Sequence, residues 1–264
     1  MLRTRLKTAA ILLPALLAIV VFAPPAVFSG FIAIVTWWGL YEIGAMREGR
    51  PSRWIVFALC GALSLLLLRG SWVPDGGPPF AMYLAVIVSL APLWQVVQVG
   101  IRGPESFRRT DIYAQGLLVA ILYPYFAYLR NGPNGVANII LIILLVVASD
   151  SGAYFVGKSL GRVKLLPKVS PRKTVEGAIG GLVTCIAAGL ILRPWLTSTL
   201  RPSRMVVLAS AAAVLAQLGD LDNSALKRIA GVKDSGWIFP GHGGLLDRTC
   251  SLVFPAVFAY YYLR

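Results

Sequence analysis

The chain is short of charge, shorter still of acids, and nearly without histidine and cysteine. Asp, Glu, Lys and Arg make up 14% of its 264 residues, against about 25% in a soluble domain. That leaves too little polar shell to cover the apolar residues in water. The three cysteines, Cys60, Cys185 and Cys250, lie far apart and in no CxxC spacing, which argues against a disulfide framework or a zinc site. The single histidine, His242, sits in the stretch "GHGGLLDRTC". Eleven acids face 25 Lys and Arg, a net charge of +14. In a soluble protein that balance would suggest nucleic acid. In a chain this apolar it points to loops beside anionic headgroups, and no nucleic-acid partner is expected.

What remains is apolar. Hydrophobic residues make up 57% of the chain and mean hydropathy is +0.74, so the expected class is an all-α, polytopic integral membrane protein. Apolar runs bounded by charge or by Pro and Gly predict about nine transmembrane helices, near 9–23, 26–45, 54–69, 80–98, 113–129, 137–156, 175–192, 205–219 and 249–263. The start, "MLRTRLKTAAILLPALLAIVV", has a basic head and an apolar body but no convincing cleavage site, and is read as the first span. The prolines of "APPA" suit a tight turn between the first two helices.

With the N-terminus inside, only six of the 25 Lys and Arg fall outside: Arg69, Arg130, Arg193, Arg201, Arg204 and Arg264. This positive-inside asymmetry predicts a multi-pass protein of the inner (cytoplasmic) cell membrane with a cytoplasmic N-terminus. Trp37, Trp38, Trp54 and Tyr260 to Tyr262 lie near predicted helix ends, where interfacial aromatics are expected.

The chain divides by chemistry. Residues 1–135 carry helices with short loops and little polar patterning, whereas residues 136–264 carry two long basic loops and six of the eleven acids. Function is therefore expected in the second part. Asp150, Asp220 and Asp247 each stand at the inner end of a predicted helix, beside those loops. One such acid is an ordinary interfacial carboxylate. Three together repel unless a cation sits among them, and hard oxygen ligands suit Mg²⁺, which also takes substrate phosphates as ligands. In "SPRKTVEGAIGG", Ser170, Arg172, Lys173 and Glu176 precede or open a helix that Thr174 is placed to cap. A helix start with Arg and Lys beside it is a phosphate site. In "GDLDNSALKRIAGVKDSGWIFPGHGGLLDR" the basic pair Lys227–Arg228 precedes a glycine-rich loop whose N–H groups are suited to phosphate oxygens. Metal, cations and positioning are the parts that phosphoryl and nucleotidyl transfer require. Acids gathered at one face, rather than at mid-membrane in broken helices, make a transporter the weakest alternative.

"SALKRIAGVKDSGWIFPGHGGLLDR", with "ASDSGAYFVGKSLGR" and "SPRKTVEGAIGG" upstream, closely resembles the signature of the phosphatidate cytidylyltransferases, or CDP-diacylglycerol synthases. The blocks agree in order and spacing over roughly residues 148–250; the first half resembles the family only as an array of apolar helices. The resemblance implies an integral membrane enzyme that condenses CTP with phosphatidic acid, releasing pyrophosphate. It implies Mg²⁺ with a K⁺ neighbour, held by Asp220 and Asp247. Asp220, Asp247, Lys227 and Asp150 are the expected catalytic residues. Ser170, Arg172, Lys173, Glu176, Ser224, Arg228, Lys233, Asp234, His242, Gly243, Gly244 and Arg248 are the expected substrate contacts. The lipid phosphate is already ionised, so no strong base is required and His242 is not expected to act as one. Two positions depart from the family pattern: Cys250 stands where an acid usually follows the Asp-Arg pair, and Asn223 where a Glu usually precedes the Ser of the "SALKR" block. Other lipid phosphates, such as an ether lipid, and a catalytically impaired paralogue are the alternatives. Self-association is left open, with the 26–45 helix as a candidate homodimer face.

Overall fold

The computed structural model describes residues 2–46, 52–69, 79–104, 111–239 and 243–264. Among them run ten helices: α1 (Leu2–Phe22), α2 (Pro25–Ala45), α3 (Ser52–Arg69), α4 (Pro79–Arg102), α5 (Asp111–Leu122), α6 (Pro124–Asn131), α7 (Gly135–Leu160), α8 (Val175–Leu196), α9 (Pro202–Ala230) and α10 (Leu246–Tyr262). A hairpin of β1 (Lys164–Leu166) and β2 (Ser170–Thr174) joins α7 to α8. Each of the nine predicted segments coincides with a helix. The 113–129 segment is divided, because Pro124 has no N–H to continue the ladder and opens α6 instead.

Five helical segments are long and apolar enough to cross a membrane among the described residues: Pro25–Ala45, Ile112–Asn131, Gly135–Leu160, Val175–Leu196 and Pro202–Ala230. Ala10–Phe22 and Trp54–Arg69 are shorter apolar helices. Only 22% of the most apolar window of α8 is buried inside the protein. The rest of that apolar surface needs a lipid solvent, and this is an all-α membrane protein.

The C-terminal helices pack closely. A Cβ on Gly181 would lie 2.7 Å from the Ser149 carbonyl oxygen, so its bare Cα lets α8 touch the backbone of α7. Pro202 opens α9 at its first turn, and Gly231, at φ +71°, ends it in the left-handed conformation with N–H bonds back to the Lys227 and Arg228 turn. At 1.5 Å per residue, the rise from Pro202 to Asp220 is roughly 27 Å, close to the thickness of a hydrocarbon core. The continuation of α9 to Ala230 therefore carries "SALKR" beyond the apolar stretch on the same helix.

The hairpin departs from the expectation of helices and loops alone. Its strands pair antiparallel, Lys164 opposite Thr174 and Leu166 opposite Ser170, with one irregularity. Leu166 and Val169 pack with Val96, Val99, Leu221 and Ala225, wedging the hairpin between α4 and α9. Tyr260 is a second departure: it is 3% exposed and packs edge-on against Tyr125 rather than facing a membrane interface.

Candidate active site

The site begins with a glycine. A Cβ at Gly219 would stand 2.1 Å from the carbonyl oxygen of Cys250, so only a bare Cα lets α9 and α10 approach this closely. The next residue on α9 is Asp220, and Asp247 occupies the first turn of α10. The crossing thus brings the first turn of α10, with Asp247, to the level of Asp220 on α9.

Each acid holds a lysine. Lys173 Nζ, on β2, lies 2.5 Å from Asp220 Oδ2, and the Asp220 side chain is 42% exposed. Lys227 Nζ, two turns along α9, lies 2.6 Å from Asp247 Oδ1, and the Asp247 side chain is 7% exposed. The hairpin makes the first pair possible: Leu166 and Val169 seat it on α9 at Leu221, beside Asp220. Asp150 on α7 is exposed and within electrostatic reach of both Asp220 and Lys173.

Asp247 is densely bonded. Asn223 Nδ2 donates to Oδ1 at 3.1 Å, while Ser235 N at 2.8 Å, Ser235 Oγ at 2.9 Å and Gly244 N at 3.0 Å donate to Oδ2. Burial raises its carboxyl, but Lys227 and the N–H groups of Ser235 and Gly244 outweigh burial and hold it below the ordinary Asp value. Gly243, at φ +82°, turns the chain here, and a Cβ on it would meet Asp247 Oδ2 at 2.7 Å.

A fourth carboxylate joins the site without standing out in the sequence. Glu42, on α2, is 3% exposed. Its Oε1 accepts from Leu245 N at 2.8 Å and Trp38 Nε1 at 3.1 Å; its Oε2 accepts from Leu246 N at 3.0 Å and Ser235 Oγ at 3.2 Å. The signal was present in "TWWGLYEIGA": an acid inside an apolar run is by default a functional position. Trp38 is four residues away on the same helix, but the backbone partners Leu245 and Leu246 lie 203 and 204 residues away, where no local pattern reveals them. A buried polar chain, also from the first half, adjoins the site: Gln115 Nε2 donates to Gln95 Oε1 at 2.5 Å and to Asp222 Oδ1 at 2.9 Å.

The other expected residues are distributed around this centre. Thr174 does cap α8, accepting from Gly177 N at 3.1 Å. Glu176 accepts from Val163 N through both oxygens, tying the hairpin's approach to α8. Arg172 on β2 is exposed, and Ser170 begins the same strand. Arg228 Nε donates to the Val169 carbonyl, bracing the hairpin against α9. Ser224 is half-buried on α9; Lys233, Asp234 and Arg248 are exposed. His242 lies outside the described residues. The loop's amides differ from the expected phosphate cradle: Gly244, Leu245 and Leu246 donate to Asp247 and Glu42 instead.

A divalent cation fits this donor set unevenly. Among the described residues no three His, Cys, Asp or Glu side chains gather closely enough to hold a metal by themselves. Asp220 fits: it is half exposed, with one ion pair at Oδ2. Asp247 has five donors on its two oxygens, so it offers a ligand position only when Lys227 leaves Oδ1. Asn223 and Cys250, the two departures from the acidic pattern, line one cavity enclosed by α2, α5, α9 and α10, with Asp222 and Gln115.

The likeness to known proteins covers the chain well beyond this centre. The model of the cytidylyltransferase family matches residues 3–264. A phosphatidate cytidylyltransferase of Haemophilus influenzae is 32% identical over 289 residues, covering 99% of this chain and 99% of the relative. The uncharacterized protein YnbB of Escherichia coli is 32% identical over 88% of this chain and 87% of its own. A phosphatidate cytidylyltransferase of Bacillus subtilis is 42% identical over 148 residues, 56% of this chain and 55% of the relative. The match therefore spans α2 as well as α9 and α10, and the chain belongs to the cytidylyltransferase family.

Proposed function

We propose that the chain is a phosphatidate cytidylyltransferase, which joins CTP to phosphatidic acid and releases CDP-diacylglycerol and pyrophosphate. The observation that carries this reading is the pair of lysine-capped carboxylates, Lys173–Asp220 and Lys227–Asp247, beside the close crossing of α9 and α10. An oxygen of the lipid phosphate bonds to the α-phosphorus of CTP, and the bond from that phosphorus to the pyrophosphate oxygen breaks. The attacking phosphate is already anionic, so no side chain needs to remove a proton. What the reaction demands is charge neutralisation and alignment.

Lys173 and Lys227 then have two roles. With no substrate bound, each ammonium neutralises its carboxylate. With phosphates present, each is a cation beside the reacting groups, with Arg172 and Arg228 nearby on the same elements. Asp220 would hold Mg²⁺, with a K⁺ neighbour, and Asp247 would join it as Lys227 turns to a phosphate. Held there, the ion would supply positive charge to the reacting phosphates. Ser170, Ser224, Lys233, Asp234, Gly243, Gly244 and Arg248 surround the nucleotide, and Asp150 adds negative charge beside Asp220. The lipid enters from the bilayer and the nucleotide from the cytoplasmic side of an inner membrane that the chain crosses nine times, its N-terminus cytoplasmic.

The test is pyrophosphate release by the purified protein in detergent with CTP, Mg²⁺ and either diacyl or ether-linked lipid phosphate. Release with the diacyl substrate supports the reading. No release with any lipid phosphate, at any Mg²⁺ concentration, leaves an impaired paralogue, to which the Asn223 and Cys250 replacements would point.

A further inference from the structure

We infer that Glu42 is a positioning residue for the site: from α2 it caps the start of α10 and clamps the glycine-rich loop that carries Asp247. This rests on the cytidylyltransferase reading for its functional meaning, and on the hydrogen bonds for its structural one. Leu245, the residue before α10, gives that helix no side-chain cap of its own. The first amides of a helix need acceptors, and a negative charge beside them is favourable. Glu42 meets both needs from another helix, taking the N–H groups of Leu245 and Leu246 on separate oxygens. Trp38 Nε1 and Ser235 Oγ fill the other two positions. Three of the partners, the Leu245 and Leu246 amides and the Trp38 indole N–H, can only donate, and an ionised carboxylate has four acceptor positions and no hydrogen.

The glycines are explained by the same contact. A Cβ on Gly236 would lie 2.5 Å from Glu42 Oε1, and one on Gly244 would lie 2.5 Å from Oε2. The loop is bare at the two places where it folds over this carboxylate. Ser235 then links the two acids: its hydroxyl, with one hydrogen, lies between Glu42 Oε2 at 3.2 Å and Asp247 Oδ2 at 2.9 Å. Asp247 is thus placed by a frame whose fixed point is in the first half of the chain, and displacement of Glu42 displaces the acid.

The experiment compares wild type with Glu42→Gln and Ser235→Ala in detergent, measuring kcat and KM for CTP per folded molecule and amide hydrogen exchange across residues 235–262. A glutamine must turn an N–H₂ toward one donor pair, leaving buried donors unpaired; on the usual penalty for one such group the effect is about ten- to a hundredfold. The expected result for Glu42→Gln is a fall in kcat of that size, a smaller change in KM, and faster exchange at Leu245 and Leu246 than in the rest of α10. Ser235→Ala keeps both backbone contacts and is expected to show a smaller fall in kcat with those two amides still protected. Glu42→Asp, which keeps the charge on a shorter arm, should recover part of the loss. A folded Glu42→Gln protein with wild-type exchange at Leu245 and Leu246 overturns the inference, whatever its activity. Faster exchange with unaltered kcat and KM also overturns it, since the frame would then not serve the site. If wild type releases no pyrophosphate, the functional reading fails while the exchange comparison still decides whether Glu42 anchors the loop.

Discussion

Lys227 Nζ stands 2.6 Å from Asp247 Oδ1, and the two side chains are 18% and 7% exposed. A pair this far from water is costly to break from one side, because the remaining charge stays buried. Lys227→Ala is expected to lower stability by about 3–5 kcal/mol, near the value for a buried pair losing one partner. The double variant Lys227→Ala, Asp247→Asn should cost less than the sum of the single changes. Thermal unfolding in detergent measures both; strict additivity would show that the pair is not coupled.

Asp247 also sets a pH dependence. Its folded carboxyl titrates below the ordinary Asp value of 3.8. A depressed carboxylate contributes stability that is complete above the unfolded value and lost as pH falls through the folded one. Wild type is therefore expected to lose stability as the medium is acidified below about pH 4, with Asp247→Asn showing a flatter profile over the same window. Equal slopes in acid-unfolding curves would remove Asp247 from this role.

Asp220 should behave differently from Asp247. Its ion pair with Lys173 is half exposed, and such pairs contribute about 0–1 kcal/mol. Asp220→Asn is expected to leave the unfolding temperature nearly unchanged and to abolish pyrophosphate release at all Mg²⁺ concentrations. A wild-type rate in this variant would refute the assignment of Asp220 to the cation.

Gly219→Ala tests the helix crossing. The added methyl would meet the Cys250 carbonyl at 2.1 Å, and backbone cannot swing aside as a side chain can. Overpacking of this kind costs about 1–3 kcal/mol, and the resulting shift of α10 should lower turnover at least tenfold. Gly30→Ala is the control, since nothing lies within 4 Å of a Cβ there. If the two variants match in activity, the close crossing is not what places Asp220 and Asp247.

Cys250→Asp adds a carboxylate within reach of Asp220 and Asp247 as well as of Lys173 and Lys227. Extra negative charge draws a divalent cation more strongly, and a thiol is a poor ligand for Mg²⁺. Activity at saturating Mg²⁺ is expected to be retained or raised, with half-maximal activity at a lower Mg²⁺ concentration. Complete loss in a folded protein would show that the thiol has a specific task.

The helices were legible because their signal is local. Apolar runs such as "LIILLVVAS" reveal a helix through length and hydropathy alone, whereas the polar continuation of α9 from the expected 219 to Ala230 carries no such signal. The motif residues Asp220, Lys227 and Asp247 were legible for a related reason: they lie in compact blocks of unusual spacing within an apolar chain. Thr174 as a cap was legible from its place before a helical run. Glu42 was not, although an acid in an apolar stretch stood in plain view, because its four donors come from Trp38 and from a loop about 200 residues away.

The amino-acid sequence by itself determined that this protein lives in a membrane, where most of its helices fall, and which basic and acidic blocks are the candidates for its chemistry. Composition, periodicity and short-range spacing suffice for those, because the bilayer demands apolar helices and charge is too scarce to be scattered. Tertiary structure alone decided how the blocks meet. It seated β2 so that Lys173 reaches Asp220 and used Gly219 to press α9 against α10. It spent the amides of the glycine-rich loop on two carboxylates. These are long-range contacts between groups whose separation along the chain carries no signal, and they exist only because close packing brings buried donors and acceptors within reach of one another.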